Sequence, residues 1–196
     1  GLKVSVISLD DFYLPGPELE KSMRGNPWGV PRGLPGSHSI ELMKSSINQW
    51  LETGLLVAPM FDKALRNGLG DRSGWNQSQP DVLVVEGWFL GCLTDEFSST
   101  NSPSNVNLYH PILTKEESKY RIKVLNKLDL YKPIWNIFDK IWHIRAKETS
   151  FASQWKEQQE NKMFRVRGSA LQGKDLISFI RMIQTAIPNE ILDGLR

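Results

Sequence analysis

The amino-acid sequence predicts an α/β fold with a mostly parallel sheet and helices on both faces. The first observation is a short apolar run, V-S-V-I-S-L (residues 4–9), that ends at Asp10 and Asp11. The second is D-V-L-V-V (residues 81–85), which ends at Glu86. Such runs are typical of buried strands in parallel sheets, whose carboxyl ends line ligand sites. Two strands ending in acidic residues therefore predict a metal and phosphate site at one sheet edge.

Between these two strands, the sequence alternates irregular and regular segments. The density of proline and glycine over residues 14–34 predicts an irregular surface excursion. Ser39 is a residue that often caps the start of a helix, and the spacing of apolar residues after it predicts a helix that ends at Gly54. Residues 55–60 are typical of a short extended segment, and residues 67–80 of a polar, glycine-rich loop.

The second half of the chain is predicted to be a linker followed by helices. Residues 98–107 are rich in serine and asparagine, which indicates a linker. Thr114 and Glu117 have the spacing of a capping box, so we expect a helix to about Leu128. The other predicted elements are a short helix from Pro133, a strand over residues 141–144, a helix over Ser150–Met163 with Trp155 in the core, and a last helix capped by Asp175.

Composition limits the class of protein. At 196 residues, with 40% hydrophobic and 23% charged residues, the chain fits one globular domain. The net charge of +2 is too small to indicate a nucleic-acid-binding surface. The single cysteine, Cys92, excludes an intrachain disulfide and fits a reducing, cytoplasmic location. No apolar run approaches the roughly 18 residues of a membrane span, so no membrane partner is expected. Because Gly1 opens directly into a strand, we expect that an upstream segment was removed or is not included.

The acidic residues at the two strand ends suit a hard cation. Asp10 and Glu86 are predicted to bind Mg²⁺ directly or through water, because hard cations prefer oxygen ligands. Asp10 is also placed to take a proton from an attacking hydroxyl group. The alternative is that these acids only cap the next helix or turn. Asp11 is assigned a structural role, since adjacent strand residues point to opposite faces.

Other polar residues have both a functional and a structural interpretation. His38 precedes a helix in a Gly/Pro-rich loop, where it would contact a ligand hydroxyl or phosphate, or only solvent. Asp62 and Lys63 follow a predicted strand, with solvated charge as the alternative. The basic residues that would clamp phosphates, or else form a solvated face, are Arg72, Lys156, Arg165 and Arg167. His110 and His143 lack metal-ligand spacing and are interpreted as structural, and Cys92 as inert.

A phosphate-binding loop is missing from the sequence. Phosphate-transfer sites of this type use G-x-x-x-x-G-K-[ST] after a strand, because its backbone N–H groups and lysine cradle the nucleotide phosphates. Residues 1–196 contain no such motif.

Several motifs in one order resemble the D-glycerate 3-kinase family of P-loop kinases, which is related more distantly to uridine kinase, phosphoribulokinase and pantothenate kinase. They are S-L-D-D-F-Y-L (8–14), R-G-L-P-G-S-H (32–38), P-M-F-D-K-A (59–64), G-D-R (70–72), V-V-E-G-W-F-L-G (84–91) and, late in the chain, Q-W-K-E-Q-Q-E (154–160). The match covers nearly the whole chain, although it is thin from Asp95 to Arg145.

The resemblance implies a three-layer P-loop-kinase-like fold and transfer of the ATP γ-phosphate to a glycerate hydroxyl with Mg²⁺. It implies that Asp10 is the catalytic base and that Glu86 is the acid near Mg²⁺. Residues 14–80 would be the acceptor-site excursion and residues 150–170 the lid, which excludes water when it closes. The residues implied around the acceptor and phosphates are Tyr13, Arg32, His38, Asp62, Lys63 and Arg72, with Lys156, Arg165 and Arg167 in the lid.

The sequence also departs from the family pattern. Ser39 replaces an acid of the family motif, and Lys156 replaces an arginine, which removes bidentate geometry. The strand and Walker A loop that open the family fold are absent, so a gap in the sheet is expected. The chain is then either a piece of a longer kinase or a shortened relative that no longer catalyses. Three hypotheses follow: a glycerate kinase, a non-catalytic binding or interaction module, and a kinase for a nucleoside or pantothenate-like acceptor.

Overall fold

The computed structural model describes residues 1–94, 111–144, 149–168 and 170–193. The strands are β1 (Val4–Ser8), β2 (Leu56–Asp62), β3 (Asp71–Ser78) and β4 (Val82–Glu86). The helices are α1 (Gly16–Met23), α2 (Ile40–Thr53), α3 (Lys115–Leu128), α4 (Lys132–Trp135), α5 (Thr149–Arg167), α6 (Gly173–Thr185) and α7 (Asn189–Asp193), with 3₁₀ turns over Leu9–Phe12 and Asp129–Tyr131. The predicted α/β class is confirmed.

The two strands that the sequence predicts from their acidic ends pair with each other. β1 and β4 are parallel, in a register that sets Val4 opposite Val82 and Ser8 opposite Glu86. The prediction that β1 is buried is correct on one face only, because Ile7 is buried whereas Val6 is 66% exposed. Among the described residues, no element covers the second face of this pair to the extent that parallel sheets usually show.

A second, antiparallel pair corrects the prediction of a loop over residues 67–80. β3 pairs with β2 along its whole length, with a bulge between Met60 and Phe61. β3 has the sequence D-R-S-G-W-N-Q-S, which lacks the alternation of apolar residues that indicates a strand. This exposed strand forms because its backbone pairs with β2. The local sequence does not predict that pairing, because it depends on a contact between separate segments.

The predicted irregular excursion over residues 14–34 is wrong in its first part, where α1 forms. Pro15 and Pro17 lie at the N-terminus of α1, where proline is tolerated because the missing N–H has no intrahelical acceptor. Leu19 and Met23, four residues apart, are buried on the core side of the helix. From residue 24 to 39 the chain has no helix and only an isolated bridge at His38.

Most helix ends lie where the sequence predicts them. Thr114 and Glu117 form both hydrogen bonds of the predicted capping box, and α3 ends at Leu128 as expected. Gly54 ends α2 in the left-handed region at φ 72°. Ser39 lies at the N-cap position of α2, although its side chain makes no capping hydrogen bond. The prediction that Asp175 caps the last long helix is wrong: α6 starts at Gly173, and Asp175 lies in its first turn, where its charge suits the helix dipole.

Two further predictions are corrected. Residues 141–144 form no strand: no described strand pairs with them, and Trp142 and Ile144 are exposed. Trp155 is not in the core, because its side chain is 55% exposed on α5. The predicted linker over residues 98–107 and His110 lie outside the described residues. None of the described helices is both long enough and apolar enough to cross a lipid bilayer.

Candidate active site

The carboxyl ends of β1 and β4 bring Asp10 and Glu86 to the same sheet edge, as the sequence predicts. Ser8, opposite Glu86, accepts a hydrogen bond from the Asp10 backbone N–H and so starts a 3₁₀ turn. Asp11 closes the turn, because its carboxylate accepts from the Ser8 N–H at 3.2 Å. Asp11 therefore has the predicted structural role, which leaves the neighbouring carboxylate of Asp10 free for other partners.

Asp10 pairs with Lys63, the residue that directly follows β2. The Lys63 Nζ lies 2.7 Å from an Asp10 carboxylate oxygen, and both side chains are about two-fifths exposed. Burial alone would raise the pKa of Asp10, but the Lys63 ammonium and a hydrogen bond from Tyr13 lower it below its usual value. Asp10 is therefore an ionised, accessible carboxylate at neutral pH, held in place by a neighbouring cation.

Behind Asp10, two rings form a buried wall. Tyr13 and His38 stack with 4.5 Å between ring centroids, and their backbones form an antiparallel bridge. The bridge arises because the loop before α2 pairs with the 3₁₀ turn: the Ser39 N–H donates to the Phe12 carbonyl at 2.7 Å. Burial, and then the charge of Asp10, raise the pKa of Tyr13 well above its usual value, so its hydroxyl stays protonated.

His38 contacts a tyrosine from the second half of the chain. Its Nδ1 lies 2.8 Å from the Tyr131 hydroxyl oxygen, in the 3₁₀ turn that precedes α4. Burial lowers the pKa of His38 from 6.5 to about 4, although the charge of Asp10 acts in the opposite direction. His38 is therefore neutral at pH 7, and its buried Nε2 has no hydrogen-bond partner among the described residues.

Two arginines lie close to Tyr13. Arg32 is buried, and its Nη1 donates to the carbonyl groups of Gly68 at 2.8 Å and Leu69 at 3.1 Å. Arg72 donates from Nε to the Tyr13 carbonyl at 3.1 Å, while its buried Nη2 has no partner in the described part of the chain. Burial lowers the pKa of both arginines, which nevertheless remain charged. Their charge makes this region attractive to anions.

A cavity of about 290 Å³ lies between the predicted acceptor excursion and the helices at the end of the chain. Arg32 and Lys63 line it on one side, and Met163, Leu171 and Phe179 on the other. The cavity is thus cationic on the side of Arg32 and Lys63, and on the side of α5 and α6 it is mostly apolar but also includes Asp175.

The predicted lid residues on α5 differ in what they contact. Lys156 pairs with Glu160 at 2.6 Å and lies 4.7 Å from the centroid of the Phe179 ring. Glu160 is buried and accepts from the Leu171 N–H at 2.9 Å, which fastens α5 to the chain before α6. A phosphate bound at Lys156 would therefore have to compete with Glu160. Arg165 is exposed, and the side chain of Arg167 lies outside the described set.

The structure thus brings together Asp10, Tyr13, His38 and Lys63, with the two arginines attached. The Asp62 carboxylate accepts a hydrogen bond from the Ala64 N–H at 2.9 Å, and this contact stabilises a local turn. Sequence reasoning missed Tyr131, which no local pattern indicates. It also missed the partner of Lys156, although Glu160 four residues later on a helix was a usable signal.

Magnesium fits this donor set. The described residues include no cluster of three or more histidine, cysteine or acidic side chains that would hold a metal on their own. Asp10 and Glu86 at one edge nevertheless match Mg²⁺, which takes one or two carboxylates and fills its other positions with substrate phosphates and water.

The fold is that of a P-loop-kinase-like protein. No protein-family model matches the chain. The chain superposes over its whole length on D-glycerate 3-kinase from Cryptococcus neoformans var. grubii, with a TM-score of 0.83, 25% identity and 71% of that chain covered. The resemblance to D-glycerate 3-kinase that the motifs indicate is thereby confirmed. The structure of the YGR205w protein (TM-score 0.64, 23% identity) shares the fold.

Curated relatives are also kinases by name. An uncharacterised kinase of Schizosaccharomyces pombe is 27% identical over 190 residues, which is 88% of this chain. A probable ATP-dependent kinase of Saccharomyces cerevisiae is 32% identical over 100 residues. The chain spans 65% of the length of the first relative, and the match to the second spans 34% of that protein.

Proposed function

We propose that the whole protein transfers the γ-phosphoryl group of ATP to a hydroxyl group of a small acceptor, D-glycerate. The observation that carries the proposal is the ionised, accessible carboxylate of Asp10, held by Lys63 at the strand edge shared with Glu86. The superposition on a D-glycerate 3-kinase supports the choice of acceptor.

In the proposed reaction, Asp10 accepts the proton of the acceptor hydroxyl group. The acceptor oxygen forms a bond to the γ-phosphorus, and the bond from that phosphorus to the ADP oxygen breaks. Lys63 and Tyr13 fix the Asp10 carboxylate for this step. Asp10 and Glu86 would hold Mg²⁺, which neutralises phosphate charge when bound.

The acceptor would enter beside the cavity that Arg32 and Lys63 line. Their positive charge, with that of Arg72, suits the carboxylate of glycerate. Tyr13 and His38 would form the wall behind the acceptor. Asp62 would complete the acceptor side of the site, and Lys156, Arg165 and Arg167 would meet phosphates from the lid, residues 150–170. We also infer a cytoplasmic location from the single, buried cysteine.

The test is ADP release by the natural full-length protein with Mg-ATP, with and without D-glycerate. Glycerate-dependent release is expected, and uridine and pantothenate serve as comparison acceptors. Release that depends on either of these instead would overturn the choice of acceptor. A folded protein that binds ATP but releases no ADP with any of the three would overturn the kinase proposal and favour a binding module.

A further inference from the structure

We propose that Tyr131 is a positioning residue that holds His38 as its Nε2–H tautomer, so that His38 donates a hydrogen bond to an oxygen atom of the acceptor. The proposal rests on the proposed function for the identity of the ligand, but its first step, the tautomer of His38, does not depend on catalysis.

The first step is the direction of the bond between Tyr131 and His38. The Tyr131 oxygen already accepts a hydrogen bond from the Gly36 N–H at 2.9 Å. If His38 also donated from Nδ1, the hydroxyl proton of Tyr131 would have no acceptor among the contacts of the described residues, because the backbone N–H groups of Gly36 and His38 also donate to this oxygen. The arrangement that leaves no hydroxyl proton unpaired has the Tyr131 O–H donating to Nδ1 at 2.8 Å.

Other contacts agree with this direction. Ser37 is the second group near Nδ1, at 3.4 Å, but its hydroxyl proton is already donated to the Leu34 carbonyl at 2.6 Å. Burial raises the pKa of Tyr131, so the tyrosine keeps the proton that it donates. A neutral imidazole whose Nδ1 accepts must carry its proton on Nε2.

The second step concerns the unmet donor. His38 is 95% buried, and its Nε2 atom is buried with it. This atom has no hydrogen-bond partner among the described residues. A buried N–H without an acceptor costs free energy, and such groups in native proteins call for an explanation. His38 stacks on Tyr13, which bonds Asp10, so the free donor lies in the neighbourhood of the proposed base. Because Nε2 has almost no accessible surface in this structure, an oxygen atom of the acceptor would become its partner when the wall moves to admit the ligand.

The tautomer is measured by long-range ¹H–¹⁵N NMR on the ¹⁵N-labelled full-length protein. The His38 signals are assigned by their loss in His38→Gln. A protonated Nε2 and an unprotonated Nδ1 are expected in the unmodified protein, and a protonated Nδ1 would overturn the proposal. This arm needs no variant at Tyr131 and no enzymatic activity.

Titration with D-glycerate tests the ligand. A saturable shift of the His38 Nε2 signal is expected. Binding of D-glycerate at other residues with no change at Nε2 would mean that the free donor serves only water, and would overturn the second step.

Tyr131→Phe tests the positioning role. The ring still packs on Trp135, but Nδ1 loses its partner, so both tautomers are expected, with a rise of about tenfold in the KM for glycerate and a smaller change in kcat. Tyr120→Phe, at a ring that packs on Trp28, is the matched control. An unchanged tautomer in folded Tyr131→Phe would overturn the proposal. If the unmodified protein transfers no phosphate to glycerate, the proposed function fails while the NMR still decides the tautomer.

Discussion

At the scale of single residues, neighbouring charges and burial together set the chemistry of the site. Asp10 and His38 lie on the same wall, yet their environments act in different ways. Lys63 keeps Asp10 ionised by direct pairing, whereas burial keeps His38 neutral. An acceptor hydroxyl group would thus meet a charged carboxylate that takes its proton and a neutral ring that donates a hydrogen bond to one of the acceptor oxygens.

Asp10→Asn should lower phosphoryl transfer by about 10²-fold or more, because the amide does not accept the acceptor proton. The fold should survive, since an exposed ion pair such as that with Lys63 contributes only about 0–1 kcal/mol. ADP release is measured together with ATP binding in the absence of Mg²⁺, and this binding should be retained. Asp139→Asn, at an exposed carboxylate, is the control. Near-normal turnover in Asp10→Asn would remove the residue from the role of base.

The buried His38 should make folding sensitive to mild acid. Its pKa is about 4 in the folded protein and 6.5 in the unfolded chain, so the unfolded chain binds a proton first as the pH falls. The free energy of unfolding should therefore drop between pH 6.5 and 4, by up to about 3 kcal/mol from this group.

Urea unfolding at pH 7, 6 and 5 measures this drop. It should be smaller in His38→Gln, while His143→Gln, at an exposed histidine, should behave like the unmodified protein. Equal pH slopes for His38→Gln and the unmodified protein would contradict the assignment.

At the scale of elements, the site depends on how helix ends are fixed. α3 leads into the 3₁₀ turn that carries Tyr131, so its position determines where that hydroxyl lies. At its start, Thr114 accepts from the Glu117 N–H at 3.2 Å, and the buried Glu117 carboxylate pairs with Arg181 of α6 at 2.5 Å. The capping box thus also joins two helices.

Thr114→Ala should lower the free energy of unfolding by about 1 kcal/mol, because the first turn of α3 loses its hydrogen-bond acceptor. The urea midpoint should fall without a change in slope. Ser45→Ala removes an exposed hydroxyl within α2 and should not lower the free energy of unfolding, because alanine is the better helix former. An equal effect of the two substitutions would show that the cap contributes no specific stability.

At the scale of the whole molecule, a contiguous core joins the site to both halves of the chain. Phe89, after β4, packs edge-on against Tyr131 with 5.1 Å between centroids, and the Trp135 Nε1 donates to the Cys92 carbonyl at 3.1 Å. Cys92 is buried in this core, and burial raises its pKa to about 12. Its thiol is therefore a probe of global opening.

In the folded protein at pH 8, Cys92 should react with a thiol reagent at least about 10³-fold more slowly than in the urea-unfolded chain, because the reactive thiolate forms only on opening. The single cysteine makes the colorimetric signal unambiguous. Rapid labelling of the folded protein would show that the core opens locally around Phe89 and Trp135.

The motif series along the chain indicates the resemblance to D-glycerate 3-kinase, and shorter patterns predict the α/β class, the two strands with acidic ends and the capping box of α3. These features are local: alternation, capping types and strand-end acids act over a few residues. The tertiary structure alone decided that Lys63 pairs with Asp10, 53 residues away, and that Tyr131 meets His38, 93 residues away. It also decided β3, whose pairing with β2 overrides a polar sequence, because contacts between distant segments form only when the chain packs.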